Sequence, residues 1–146
     1  MLIGEYHHNL DEKNRLVIPG KFREALGDKF IITRGIEKCL FVYPIKEWDS
    51  ITNKLATLPF TRSDARKFTR FFLSAAEEKE FDKSGRVGLS LTHLEYANLK
   101  KECVIIGTND RLEIWSKELW DNFIDENSES LSEIAENLFT GDNYAL

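Results

Sequence analysis

Short apolar stretches separated by turn residues recur along the first 45 positions of the chain. Asn14 stands where a tight turn needs a polar residue. Residues 15–18 after it, an arginine and three branched apolar side chains, fit a short strand. Pro19 ends that strand because proline cannot donate to a ladder, and residues 20–27 fit a short helix. Two more strands follow, at residues 29–34 and residues 39–43. The pattern predicts a unit of β-hairpin, short helix and β-hairpin.

Longer segments outside this unit have the helical period. Residues 44–58 and 63–76 carry apolar side chains at spacings of three and four, which favours helices with one buried face. These side chains are Ile45, Trp48, Ile51, Leu55, Phe68, Phe71, Phe72 and Leu73. Similar segments recur at residues 117–123 and 130–138. The sequence therefore predicts a pair of helices after each of two β-rich regions.

An internal repeat explains this recurrence. Residues 11–15, with Asp first and Arg last, are echoed by residues 82–86 at an offset of 71 positions. Further matches keep the same order, namely residues 30–33 with 104–107, residues 40–43 with 112–115, and Trp48-Asp49 with Trp120-Asp121. Because several matches occur in one order, we interpret the chain as two copies of one small unit.

Neither copy is large enough to form a core alone, since roughly 40 residues is near the lower limit for an unaided domain. The simplest arrangement interleaves the hairpins of both copies into one closed β-barrel without free edges. The expected fold class is α+β, mainly β, with flanking helices. The expected regions are the first repeat at residues 5–50, a helical segment at 51–76, the second repeat at 77–121, and an acidic helical tail at 122–146.

Charge is distributed unevenly along the chain. The net charge of −5 alone argues against a nucleic-acid partner, because non-specific affinity comes mainly from neutralised phosphates. Residues 1–76, however, hold 13 Lys and Arg against 9 Asp and Glu, whereas residues 77–146 hold 7 against 16. Lys117 is the last basic residue, and eight acids follow it. The tail is either a solvated helical face or an acidic interaction arm.

Several functional classes are disfavoured. Cys39 and Cys103 have no further Cys or His at metal-ligand spacing, so we expect buried free thiols. His7 and His8 are neighbours on a strand and point to opposite faces, so they cannot readily bind one metal ion together with Asp11. No nucleophile with a base and no phosphate-binding glycine loop is present. We therefore predict no metal, no cofactor, no catalytic residue, no small-molecule substrate and no enzymatic activity.

The sequence also predicts where the protein is found. No apolar run approaches the roughly twenty residues of a membrane span. The first five residues turn acidic too early for a signal peptide. We therefore expect a cytoplasmic protein with no membrane partner.

Specific motifs resemble a known family. They are the repeated Asp-x-x-x-Arg turn, the Arg-Leu-Val-Ile-Pro strand ending at residues 15–19, and Val42-Tyr43-Pro44 followed by Glu47-Trp48. With the overall length, these motifs resemble the MraZ family of bacterial transcriptional regulators, which have two SpoVT/AbrB-like repeats. The resemblance implies a swapped-hairpin, AbrB-like barrel and a ring-shaped homo-oligomer. It further implies a nucleoid-associated repressor that binds direct repeats in double-stranded DNA upstream of the division and cell-wall gene cluster, including its own promoter.

Candidate DNA-binding residues lie at the repeated turn. An arginine just after a tight turn can direct its guanidinium away from the sheet, toward a phosphate or the O6 and N7 atoms of guanine. Asp11 and Asp82 are predicted to orient Arg15 and Arg86 by pairing with them or by accepting turn amides. Alternatively, each Asp–Arg pair only pins its own turn. The candidate DNA-binding residues are Arg15, Lys13, Lys21, Arg23, Arg86 and Lys83.

The second copy departs from the family pattern. Ser90 and Leu91 stand where the family has a proline, and His93-Leu94 stands where an arginine such as Arg23 is expected. The cations that remain on the corresponding face are Lys83 and Arg86. We therefore expect the first repeat to dominate contact with DNA.

A basic stripe and the acidic tail leave other possibilities open. One helical face is predicted to carry Arg62, Arg66 and Arg70, with Lys67 beside them. This basic stripe is either solvated, or turned toward another subunit, or a second DNA site. If the basic half of one chain met the acidic half of the next, the contact would be head-to-tail and could close a ring. Two other functional classes remain, namely a homo-oligomeric scaffold that binds proteins through the acidic tail and an RNA-binding module.

Overall fold

The computed structural model describes residues 1–140 of the chain. The first repeat contains β1 (Leu2–Asn9), β2 (Arg15–Val17), α1 (Gly20–Leu26), β3 (Lys29–Arg34) and β4 (Leu40–Pro44), followed by α2 (Ile45–Ala56) and α3 (Ser63–Ser74). The second contains β5 (Glu77–Glu80), β6 (Arg86–Gly88), α4 (Leu91–Tyr96), β7 (Glu102–Asn109) and β8 (Leu112–Ser116), followed by α5 (Lys117–Asn127) and α6 (Leu131–Leu138). The helices predicted after each unit are therefore present.

Strand pairing interleaves the two repeats. Six strands form one antiparallel sheet in the order β1-β7-β8-β4-β3-β5, and β2 pairs with β6 in a separate two-stranded ribbon. The ladders β1–β7, β3–β5, β4–β8 and β2–β6 each join one repeat to the other. The ladders β3–β4 and β7–β8 lie within one repeat. The predicted α+β fold, built from two interleaved repeats, is confirmed.

Hydrogen bonding does not close these strands into the expected barrel within residues 1–140. In the part of the chain that the structure describes, β1 and β5 are the edges of the six-stranded sheet, and no ladder joins them. β5 has only four residues, because α3 ends at Ser74 just before it. β2 and β6 have three residues each and pair with one another rather than with the sheet. The result is an open sheet with a ribbon packed on one face.

A local twofold axis relates the two repeats. In the ribbon, Leu16 pairs with Val87, its equivalent 71 positions later. In the sheet, Phe41 pairs with Glu113, its equivalent 72 positions later. Equivalent residues of two copies lie opposite one another in antiparallel strands only where a twofold axis passes between them. The axis therefore runs through the centre of the ribbon and the centre of the sheet.

The sheet separates two apolar cores, because successive side chains of a strand point to opposite faces. The core beneath the ribbon, α1 and α4 contains Leu16, Ile18, Phe22, Phe30, Ile32, Leu40, Val42, Val87, Leu94, Ile105, Leu112 and Ile114. The core beneath α2, α3 and α5 contains Phe41, Tyr43, Phe72, Val104 and Trp115, with Trp48, Phe68, Trp120 and Phe123 packed against them. The ribbon and the long helices therefore lie on opposite sides of the sheet.

Both cysteines are buried and free, as predicted. Burial raises the pKa of the Cys103 thiol to about 12, and it also raises the pKa of Cys39. Few thiolates form near neutral pH under these conditions, and the thiolate is the reactive species. Neither residue is therefore a reactive thiol. No helix within residues 1–140 is long and apolar enough to cross a bilayer.

Gly107 permits the close approach of β1 to β7. A Cβ atom at this position would meet the backbone of Leu2 and Ile3, and backbone in a ladder cannot move aside cheaply. Gly88, at the end of β6, provides a matched comparison, because an added Cβ there meets no atom within 4 Å. The two glycines thus differ in the space around them.

We expect Gly107→Ala to lower the free energy of unfolding by about 1–3 kcal/mol, because the added methyl overpacks the ladder between β1 and β7. Gly88→Ala should change the same quantity by less than about 0.5 kcal/mol. Urea denaturation followed by circular dichroism measures both values. Equal effects of the two substitutions would contradict the close approach at Gly107.

Candidate nucleic-acid interface

The ribbon directs its arginines away from the core. Leu16 and Val87 are fully buried beneath it, and the flanking residues of each strand point to the other face. Arg15 and Arg86 lie on that outer face, with side chains 31% and 29% exposed. Arg15 is opposite Gly88, and Arg86 is opposite Val17. The twofold axis passes between the two arginines and makes them equivalent.

Asp11 organises the turn of the first repeat. Its Oδ1 accepts hydrogen bonds from the backbone amides of Lys13 and Arg15, each at 2.9 Å. Its Oδ2 accepts from Nε of Arg15 at 2.7 Å. Asn14, at the tip, has a φ of 57°, a left-handed conformation that asparagine tolerates. One carboxylate thus fixes both the turn and the arginine that follows it.

The turn of the second repeat has the same geometry. Asp82 Oδ1 accepts from the amides of Ser84 at 2.9 Å and Arg86 at 3.0 Å, and its Oδ2 accepts from Nε of Arg86 at 2.8 Å. Gly85 occupies the position equivalent to Asn14, with a φ of 75°. The repeated sequence therefore encodes a repeated hydrogen-bond pattern.

The two turns contact one another across the ribbon. Nη1 of Arg86 lies 3.5 Å from Oδ2 of Asp11, the same oxygen that accepts from Nε of Arg15. Asp11, Arg15, Asp82 and Arg86 therefore form one cluster of four charges with no net charge. Within residues 1–140, neither terminal amino group of Arg15 has a hydrogen-bond partner. Those groups are available to an added acceptor.

Hydrogen bonding holds both aspartates in the charged form. The pKa of Asp11 is lowered chiefly by the hydrogen bond from the Arg15 amide, with further contributions from the Arg15 side chain and the Lys13 amide. The pKa of Asp82 is lowered chiefly by the Arg86 amide. Partial desolvation opposes both shifts without reversing them. The carboxylates can therefore orient the arginines throughout the physiological pH range.

The three candidate lysines have different positions relative to this cluster. Lys13 and Lys83 are exposed in the two turns. Lys21 is exposed on α1, where its Nζ lies 5.4 Å from the ring centre of Tyr6, a cation–π contact. Lys21 is therefore directed toward β1 rather than toward the ribbon. The structure places Lys13 and Lys83 beside the arginine cluster and Lys21 apart from it.

Arg23 connects α1 to the turn of the other repeat. Its Nη1 donates a hydrogen bond to the carbonyl oxygen of Ile18. Its guanidinium also lies over Gly85, so closely that a Cβ there would be 2.7 Å from Arg23 Cζ. The sequence indicates Arg23 only as a DNA-binding candidate and does not reveal this contact. No local signal could reveal it, because Gly85 is distant in sequence.

The two repeats differ at a pair of contacting positions, where both side chains change together. In the first, Tyr6 and Phe22 form an edge-to-face aromatic pair with ring centres 5.1 Å apart. The equivalent positions of the second, 71 residues later, hold Glu77 and His93, whose Oε2 and Nε2 are 3.6 Å apart. Ser90 Oγ donates to Glu77 Oε2 at 2.7 Å. An apolar contact thus becomes a polar one, and aligning the repeats reveals the exchange.

The grouping of His, Cys, Asp and Glu side chains decides whether the described residues could hold a metal ion. Residues 1–140 contain no group of three or more His, Cys, Asp or Glu side chains that could hold an ion. His7 instead lies 2.7 Å from the carboxylate of Glu5.

Comparison with known proteins agrees with this internal repetition. A family model of the MraZ protein, which its description calls antitoxin-like, matches residues 1–71 and again residues 72–142. The chain belongs to the MraZ family. Two MraZ relatives, from Lactobacillus johnsonii and Lactobacillus gasseri, are 59% and 57% identical over 138 residues. Each match covers 94% of this chain and 96% of the relative, and both relatives are named transcriptional regulator MraZ.

The pKa of Asp11 provides a test of the turn geometry. We expect its carboxyl carbon to titrate below the ordinary value of 3.8. Because the folded pKa is depressed, the stability that this group contributes is present above the unfolded value and is lost as pH falls through the folded pKa. In Arg15→Ala the pKa should rise but stay below 3.8, since the backbone amides still donate. NMR titration of the carboxyl carbons measures the pKa of Asp11 in both proteins.

Arg86→Ala provides the matched variant, because it should change the pKa of Asp82 in the same direction. An Asp11 midpoint at or above 3.8 in the unsubstituted protein would show that the turn does not hold its carboxylate as described.

Proposed function

We propose that this chain is a sequence-specific DNA-binding regulator of transcription, and that the ribbon is the element that enters the DNA. The supporting observation is the pair of aspartate-held arginines on its outer face, related by the twofold axis. The major groove admits a two-stranded β-ribbon, and arginine is the residue that most often reads guanine there. The relatives of this chain are named transcriptional regulators. We assign no catalytic residue to it.

Arg15 and Arg86 read bases in this proposal. Asp11 binds Nε of Arg15 and leaves its terminal amino groups able to fork to O6 and N7 of one guanine. Asp82 binds Nε of Arg86, which forks in the same way once the 3.5 Å contact of its Nη1 with Asp11 is released. Holding the side chain in place before binding reduces the conformational entropy lost on contact. The Asp–Arg pair therefore both pins the turn and presents the arginine.

Phosphate contacts come from the surrounding cations. Lys13 and Lys83 flank the arginine cluster, and Lys21 and Arg23 extend the basic surface along α1. The second repeat has Thr92 and Leu94 at the positions equivalent to Lys21 and Arg23. The first repeat therefore supplies most of the phosphate contacts, and the chain binds DNA asymmetrically.

Self-association into a ring-shaped homo-oligomer completes the proposal. One chain of net charge −5 makes few phosphate contacts, so its affinity for a single site is weak. Linked chains that touch successive direct repeats gain from effective concentration. A direct-repeat operator upstream of the division and cell-wall gene cluster, including the chain's own promoter, fits such an assembly. Occupying that operator represses transcription and places the protein at the nucleoid.

Replacing Arg15 tests base readout. Arg15→Ala should weaken binding to a single operator site by about 1–3 kcal/mol and should relax specificity at one base pair. Arg86→Ala should cost less, because the second repeat has fewer supporting cations. Lys21→Ala should weaken all sequences alike and lower the salt slope by about one. Fluorescence anisotropy with operator and unrelated duplexes measures these effects.

Lys46→Ala is the matched control, because Lys46 is an exposed cation on α2, across the sheet from the ribbon. Unchanged operator binding by Arg15→Ala would remove Arg15 from the interface. Preferential binding to single-stranded RNA in the same assay would instead favour an RNA-binding module.

The number of operator repeats tests the assembly. Affinity should rise steeply from one direct repeat to two and three, because each further contact is made within an existing complex. Anisotropy titrations at a fixed salt concentration measure the affinity for duplexes of one, two and three repeats. Equal affinity per site in all three duplexes would contradict cooperation between linked chains.

A further inference from the structure

An exposed apolar groove lies between the end of α2 and the start of α3. Leu55, Leu58, Ala65 and Phe68 line it, and Phe60 stands beside it with 81% of its surface exposed. Arg66 Nη1 donates to the carbonyl oxygen of Phe60 at 2.8 Å and so holds the connecting loop. The groove therefore has a defined shape although nothing within residues 1–140 covers it.

A second apolar surface lies on α6, and residues 1–140 leave it uncovered as well. Leu131, Ile134 and Leu138 recur at spacings of three and four, so they share one face of the helix. They are 61%, 40% and 62% exposed. Glu133 and Glu136 lie toward the other side and would stay in water if the apolar face were covered. Such a face is typical of a helix that packs into a groove.

The two surfaces carry opposite charge. Residues 51–76, which form the groove, contain five Lys and Arg and one Asp. Residues 118–140, which lead into and form α6, contain seven Asp and Glu and no Lys or Arg. Arg62, Arg66 and Arg70 are exposed along the groove itself. Attraction between the segments favours their encounter, while the apolar residues supply the contact area.

We propose that α6 of one chain docks its apolar face into the α2–α3 groove of a second copy. Each chain then offers a helix to one neighbour and a groove to the other, so the contact is heterologous and closes into a ring when the rotation allows. This inference rests on the self-association part of the proposed function and names the surfaces that make it. The groove lies away from the ribbon, because α2 and α3 pack on the opposite face of the sheet, and α6 follows α5, which packs on that same face.

Single substitutions test whether these surfaces hold the assembly together. Leu138→Asp on α6 and Phe60→Asp beside the groove should each reduce the mass of the full chain, measured by light scattering, to that of one chain of 17.0 kDa. Leu91→Asp is the matched control, because Leu91 is 69% exposed on α4 and should leave the mass unchanged. A monomeric unsubstituted chain, or variants that keep the parent mass, would overturn the proposal.

Cross-linking tests whether α6 meets the groove. Leu138→Cys and Leu58→Cys are made in separate chains, mixed and oxidised, and a covalent dimer of the two is expected. Cys39 and Cys103 do not interfere, because both are buried. A mixture of Leu91→Cys with Leu58→Cys should give no such dimer. Equal cross-linking in both mixtures, or none in the first, would overturn the assigned contact.

DNA binding separates this proposal from the proposed function. Leu138→Asp should bind a duplex with one operator repeat as the parent chain does, but lose the gain from two and three repeats. Loss of single-repeat binding in a folded Leu138→Asp monomer would overturn the separation of the docking surfaces from the ribbon. A chain that assembles through α6 but binds no operator would refute the DNA function alone.

Discussion

The pairing of the two repeats with one another is the constraint on which the rest of the structure depends. Among the residues that the structure describes, β1 has a ladder only with β7, β5 only with β3, and β2 only with β6, so neither repeat completes a sheet by itself. The contact of Leu16 with Val87 closes the ribbon over the core at the same time. The core and the candidate interface therefore depend on the same contacts between residues distant in sequence.

The four charges of the cluster on the ribbon cancel one another, and the contacts between them fix the orientation of the arginines. Asp11 binds Arg15 and also contacts Arg86, so the arginines that would read bases contribute little to the long-range attraction of DNA. In the proposed interface the surrounding lysines supply that attraction, and the cluster supplies the geometry. Discrimination and attraction are thus assigned to different residues, which agrees with the general division between base contacts and phosphate contacts.

Features that are local in sequence could be predicted, and those that depend on distant partners could not. The Asp11 turn and the apolar stripes of α2 and α3 each lie within one short stretch of sequence. The repeat is visible when two such stretches are compared. The open sheet, in place of a closed barrel, depends on the short β5 and on the pairing of β2 with β6. The positions of Lys21 over Tyr6 and of Arg23 over Gly85 likewise depend on how α1 packs against other elements.

The exchange of Tyr6 and Phe22 for Glu77 and His93 has a consequence for the orientation of the bound protein. A protein with an intact twofold axis presents the same surface in both directions along a duplex and therefore suits a palindrome. The exchange, together with Thr92 and Leu94 in place of Lys21 and Arg23, makes one end of this chain different from the other. The fused halves thus give the protein a head and a tail, so that in the proposed complex neighbouring chains on DNA would all point the same way.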